Sequence, residues 1–188
     1  MIAEITLFLK GLIIGFAMAL PIGPIGIICV RKTLTEGKMH GFVIGLGAAT
    51  ADMLYACIAA FGLTMISDLI LEQQFWIQLI GGSLLLYIGV KTYLTQPKDP
   101  TIPADKDSLA GSFFYTVFLT LTNPLTIFSF LAVFAAFGFG DGMSLLSATT
   151  LVVGVFVGSA LWFLVLTMGV TLFRKKLDMK GLKWVNRI

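Results

Sequence analysis

Five long apolar runs, at residues 5–30, 41–66, 75–94, 112–138 and 145–173, alternate along the chain with short polar stretches. Crossing the hydrocarbon of a bilayer takes about 20 helical residues, and each run reaches that length. The pattern predicts an all-α integral membrane protein with five transmembrane helices, folded as a single transmembrane domain over residues 1–188.

Two of the runs carry a break. The first is interrupted at Pro21-Ile-Gly-Pro24, where two prolines withdraw backbone donors and a glycine frees the chain. The fourth contains Thr122-Asn123-Pro124. A first three-helix unit over residues 1–95 and a second unit over 112–188 therefore open alike, each with a long helix broken near its middle. An odd number of spans in the first unit makes the second enter the membrane from the opposite face. This is the pattern of inverted-repeat transporters, whose discontinuous helices meet near the midplane around the substrate. On this reading the second unit lacks its last helix. Ordinary proline kinks explain either break taken alone; breaks in matching places favour a site.

Lys and Arg mark alternate loops. Arg31, Lys32 and Lys38 follow the first run, and Lys91, Lys98 and Lys106 border or occupy the loop after the third. Arg174, Lys175, Lys176, Lys180, Lys183 and Arg187 follow the fifth. In the intervening loops, 67–74 and 139–144, the only charged residues are Asp68, Glu72 and Asp141. Short cytoplasmic loops are enriched in Lys and Arg, so an N-terminus outside places every basic residue except Lys10 in the cytoplasm. A multi-pass protein of the cell inner membrane is expected. Ala17-Met-Ala19 resembles a signal-peptidase site, but Glu4 and Lys10 interrupt the stretch before it, so the first run is expected to remain as a span.

Composition agrees and narrows the function. Hydrophobic residues make up 57% of the chain and charged residues 12%, with a mean hydropathy of +0.96; soluble domains carry about 25% charged residues. No room remains for a soluble catalytic domain. The net charge of +3 sits in short tracts between apolar runs, where it reports orientation and not a nucleic-acid partner. Cys29 and Cys57 lie inside apolar runs without the spacing of a metal or redox motif. No cofactor and no resident metal is expected.

Asp52 is the one acid or base well inside an apolar run, about 11 residues into the second, which at 1.5 Å per residue puts it about 16 Å deep. A carboxylate there costs several kcal/mol unless it is neutral, paired or facing water, and it normally marks a path for protons or cations. The alternative is a structural carboxyl bonded to a neighbour such as Tyr55, Thr50 or Asn123. Thr116, Thr120 and Asn123 recur at helical spacing in the fourth run, either lining a cavity or bonding between helices. Gly41, Gly45 and Ala49, like Gly154 and Gly158, are spaced for close helix approach within one bundle or in a homo-oligomer. An intramembrane enzyme is not supported, since a lone aspartate has no second carboxylate, no nucleophile with its base and no histidine pair.

GLIIG at 11–15, PIGP at 21–24, GFVIGLGAATAD at 41–52 and TNP at 122–124 occur in this order. In these motifs the chain resembles the lysine exporter (LysE/RhtB-type) family of amino-acid effluxers, over nearly its whole length. The family's usual glycine before the acid is Ala51 here. The resemblance implies a six-helix protein, built as a 3+3 inverted repeat, that exports basic or small neutral amino acids at the expense of the proton gradient. Within it, the half-helix after Pro21, Gly23 and Pro24 would aim backbone N–H groups from Gly26 onward at the substrate carboxylate. Thr120, Asn123 and Pro124 would offer the second break to the ammonium, and Asp52 would pair with that ammonium or carry the coupling proton. Two rivals remain: efflux of a divalent heavy metal through Asp52, Cys57 and Cys29, and a membrane scaffold or assembly protein that moves no solute.

Overall fold

The computed structural model describes residues 2–21, 23–64, 108–137 and 144–176, with Leu79, Ser83, Leu86, Tyr87 and Val90 as separate positions. Most of the third apolar run, the loops 67–74 and 96–107, residues 139–143 and the basic tail from 177 lie outside the described residues. The described elements are all α-helices: α1 (Ile2–Ala19), α2 (Pro24–Glu36), α3 (Lys38–Thr64), α4 (Leu109–Leu121), α5 (Pro124–Ala136) and α6 (Leu145–Lys176).

Both expected breaks are present. The Leu20 N–H still donates to the Phe16 carbonyl at 3.1 Å, after which the Gly23 N–H turns back to the Pro21 carbonyl at 2.8 Å. Pro24 then opens α2 in its first turn, where a missing N–H costs nothing, and α1 and α2 meet at 78°. At the second break the Asn123 N–H donates to the Thr120 carbonyl at 3.1 Å, tightening the end of α4, and Pro124 starts α5. The basic loop expected after the first run is mostly helix. Gly37 alone separates α2 from α3, at a φ of 100° that glycine adopts without steric cost.

Helix directions follow from successive contacts. Glu4 meets Ser147, Phe8 meets Gly154 and Leu12 meets Gly158, and Phe16 stands edge-on to Trp162 with ring centroids 5.3 Å apart. So α1 runs parallel to α6. Gly45 lies against Phe163 and Asp52 against Ser159, so α3 runs opposite to α6. Gly47 meets Phe113 and Thr116, and Tyr55 meets Leu121, so α4 runs with α3. These directions bring Lys38 to the same end of the bundle as the last turn of α6.

Among the described residues, Lys38–Ala60 and Leu145–Phe173 are each long and apolar enough to span a membrane, and the bent pair α1 and α2 makes a third candidate. α4 is a shorter apolar helix. The outer face of α6 presents Val153, Val157, Leu161, Val165, Met168 and Leu172, all exposed, at three- and four-residue spacing, which is an apolar stripe suited to lipid.

Close packing rests on small residues. A Cβ at Gly11 or Gly15 would run into the carbonyls of Leu151 or Val155, and one at Gly154 or Gly158 into those of Phe8 or Leu12. α1 and α6 therefore touch backbone to backbone, the contact that a Gly-x-x-x-Gly spacing permits. Gly41 and Gly45 serve different partners, Thr33 of α2 and Phe163 of α6. The described interfacial glycines are thus used within the bundle.

Candidate functional site

Asp52 is the fifteenth of the 27 residues of α3, so helix geometry alone centres it in the span. It is 6% exposed, and its Oδ2 accepts a 2.6 Å hydrogen bond from Ser159 Oγ of α6. The proposed partners Thr50 and Tyr55 point elsewhere. Thr50 Oγ1 donates to the Leu46 carbonyl at 2.8 Å, and the Tyr55 hydroxyl donates to α4. Among the described residues no cation forms an ion pair with Asp52. Serine satisfies one carboxylate oxygen without neutralising the group, which is the least protein can do for a buried acid.

Tyr55, one turn along α3 and 7% exposed, ties this face to the second break. Its hydroxyl donates to the Leu121 carbonyl at 2.6 Å and lies 3.4 Å from that of Thr120. Thr116 and Thr120 are buried, with hydroxyls spent on the carbonyls of Ser112 and Thr116, each at 2.8 Å. Thr116 packs against α3 at Gly47, and what Thr120 turns toward Tyr55 is its carbonyl. Asn123 is half-buried at the break.

The first break reaches α3 one turn before Asp52. Ala19 and Ile25, which flank it, pack against the cluster containing Ile44, Ala48 and Phe163, and Ala48 is one turn before Asp52. Pro21 and Pro24 are exposed, Gly23 is half-buried and Gly26 is buried. No side chain caps α2 at Gly23, so the N–H groups of Ile25 and Gly26 remain at the positive end of the half-helix. Asp52 thus sits between the two breaks, about a helical turn from residues that pack toward each, although no direct contact joins it to Pro21, Gly23, Pro24 or Gly26.

Three features were not read from the sequence. No sequence pattern singles out Ser159, and only the antiparallel register of α3 and α6 sets it on Asp52. Tyr55 shares a helix face with Asp52 through its i, i+3 spacing, which was legible, but its partner was not. Lys32 is buried, with Nζ 2.6 Å from Glu36, where the charge pattern made it only an orientation marker; His40 Nε2 lies 3.5 Å from the same carboxylate.

Cys29 Sγ donates to the Gly41 carbonyl at 3.3 Å and lies 3.6 Å from Thr167 Oγ1. It belongs to the cluster around Phe163, whereas Cys57 packs against the one around Tyr55. Among the described residues no three His, Cys, Asp or Glu side chains gather as metal ligands.

The family model of the LysE type translocator matches residues 16–188. A protein of Bacillus subtilis (strain 168) named "Putative amino acid efflux protein YcgF" is 26% identical over 187 residues, covering 97% of this chain and 89% of that one. No solved structure matches the chain.

Proposed function

The chain belongs to the LysE type translocator family, and on that premise we propose that it exports amino acids, basic or small neutral ones, from the cytoplasm across the cell inner membrane, coupled to protons. The carrying observation is the buried Asp52, which among the described residues is held by Ser159 with no cation beside it, on the helix that packs toward both breaks. A carboxylate at that depth without a cation is costly by several kcal/mol. It gains most from a ligand that brings positive charge, either a proton or a substrate ammonium.

The two breaks suit the two ends of an amino acid. The start of α2 presents Ile25 and Gly26 N–H groups with no side-chain cap, a setting that favours a carboxylate. The end of α4 presents carbonyls at the negative end of a half-helix, which favours an ammonium. Asp52 between them would pair with the ammonium or carry the coupling proton, and the exchange of one for the other would link export to the gradient.

Cells preloaded with a mixed dipeptide pool are expected to release a restricted set of amino acids faster than a strain without the protein, by roughly tenfold or more for the true cargo, as loss of a committed binding site would imply. Equal release of every amino acid from both strains would remove the reading and leave the scaffold alternative. The orientation is tested separately. Single cysteines placed at Ser144 and at Lys38, in a chain with Cys29 and Cys57 replaced by alanine, are expected to react with an impermeant maleimide from outside only at 144. Labelling at 38 from outside would invert the topology.

A further inference from the structure

Resting on the export reading above, we propose that Tyr55 is the gate of the second break: its hydroxyl fills the carbonyl end of α4 when the site is empty and yields it to the ammonium of the substrate. The last carbonyls of a helix have no partners within the helix. Here the Phe118 carbonyl takes the Thr122 N–H at 2.9 Å and the Thr122 hydroxyl at 3.0 Å. The Thr120 carbonyl takes the Asn123 N–H at 3.1 Å. The Leu121 carbonyl takes the Tyr55 hydroxyl at 2.6 Å, with the Thr120 carbonyl 3.4 Å from the same oxygen. A side chain from another helix, more than sixty residues earlier in the chain, has thus been brought to the group that a cation would seek.

The exchange is favourable because the competitors differ in kind. A phenol brings one donor and no charge. A primary ammonium brings three donors and a full positive charge, and its bonds to carbonyls are charge-assisted and about twice as strong. Asp52, three residues away on the same face of α3, supplies the counter-charge that the carbonyls lack. An amine entering between α3 and α4 would find both, whereas an amine-free acid would find only acceptors already satisfied by Tyr55. The gate would therefore select for the ammonium.

The tyrosine ring also reports occupancy to α5. It packs on Phe130 with centroids 6.0 Å apart and planes inclined at 31°, and Phe130 in turn meets Phe134 at 6.4 Å. A hydroxyl that leaves Leu121 turns or shifts this ring, so the half-helix beyond the break is the first element to feel the substrate arrive.

Methylammonium is the probe, since it carries the ammonium alone and its binding does not depend on transport. Thermal-shift titrations of the full chain in lipid nanodiscs are expected to give Tyr55→Phe an apparent Kd roughly fivefold or more below that of the wild type, because the competing hydroxyl is gone while the ring stays. The gain is expected to vanish in the Tyr55→Phe/Asp52→Asn double variant. Infrared difference spectra of the wild type are expected to show a shifted tyrosine C–O band on adding methylammonium, a signal that does not require the variant to fold. Equal affinities in wild type and Tyr55→Phe, no binding to either, or binding that leaves the tyrosine band unmoved would each overturn the gate. Binding as expected, in a protein whose presence changes no amino acid's release from cells, would strike the export reading instead.

Discussion

Asp52→Asn is expected to reduce gradient-driven export to the level of a strain lacking the protein, a loss of at least about a hundredfold, while the bundle stays folded. The substitution keeps the size of the side chain and an oxygen that can accept the 2.6 Å bond from Ser159. It removes only the ability to bear charge and to take up a proton. If Asp52 were merely a strut between α3 and α6, asparagine would serve nearly as well, and export would stay within a fewfold of wild type; that outcome would end its coupling role. Ser159→Ala separates the two functions from the other side. It leaves the carboxyl but removes its donor, and a hydrogen bond to a charged group is worth about 1.5–3 kcal/mol, so a loss of roughly tenfold to a hundredfold is expected, short of the complete loss in Asp52→Asn. Both variants are to be compared by medium amino-acid content and by membrane abundance, so that a protein that fails to accumulate is not scored as a failed exporter.

Gly158→Leu is expected to produce the largest loss of stability of any single change in the described bundle. Even a methyl group there meets the Leu12 carbonyl, and the next nearest atoms, Leu12 C at 2.8 Å and Phe16 N at 2.9 Å, are also backbone. Main chain cannot swing aside as a flexible side chain can, so α1 and α6 must separate along their whole contact. Overpacking of a core typically costs about 1–3 kcal/mol, and this backbone collision belongs at or above the top of that range. Gly169→Ala is the matched control, because nothing lies within 4 Å of the added Cβ. Alanine in a helix interior is favoured over glycine by about 1 kcal/mol, so this variant is expected to be neutral or slightly stabilised. Unfolding in mixed micelles with increasing dodecyl sulfate would compare them. Equal midpoints for Gly158→Leu and wild type would show that the α1 and α6 contact contributes little.

Among the described residues, the two helices long enough to cross a membrane were legible in the sequence because lipid imposes a one-dimensional constraint: about 20 apolar residues must follow one another, whatever they pack against. α3 and α6 appear where the second and fifth runs lie. The breaks were equally legible, since a missing proline N–H interrupts a helix locally, and the interruptions stand at Pro21 to Pro24 and before Pro124. Asp52 could be singled out for the same reason, its cost depending on depth more than on neighbours. The end of the helix after the first break was not legible, because a polar, basic stretch reads as loop while α2 in fact runs to Glu36 with Lys32 buried.

What only the tertiary structure decided is who meets whom. Residues 107 apart in the chain, Asp52 and Ser159, are joined by the antiparallel register of α3 and α6, and Tyr55 reaches Leu121 through the parallel register of α3 and α4. Registers are set by where bare backbone allows close approach, at Gly45 against Phe163 and at Gly47 against Phe113. A glycine in a sequence announces that some helix can come near, but not which one or at what height. The sequence by itself therefore determined the long apolar helices α3 and α6, the two breaks and the acid within α3, each governed by local chemistry and depth. The partner of that acid and the occupant of the α4 carbonyls depended on non-local packing, which no pattern along a single chain encodes in readable form.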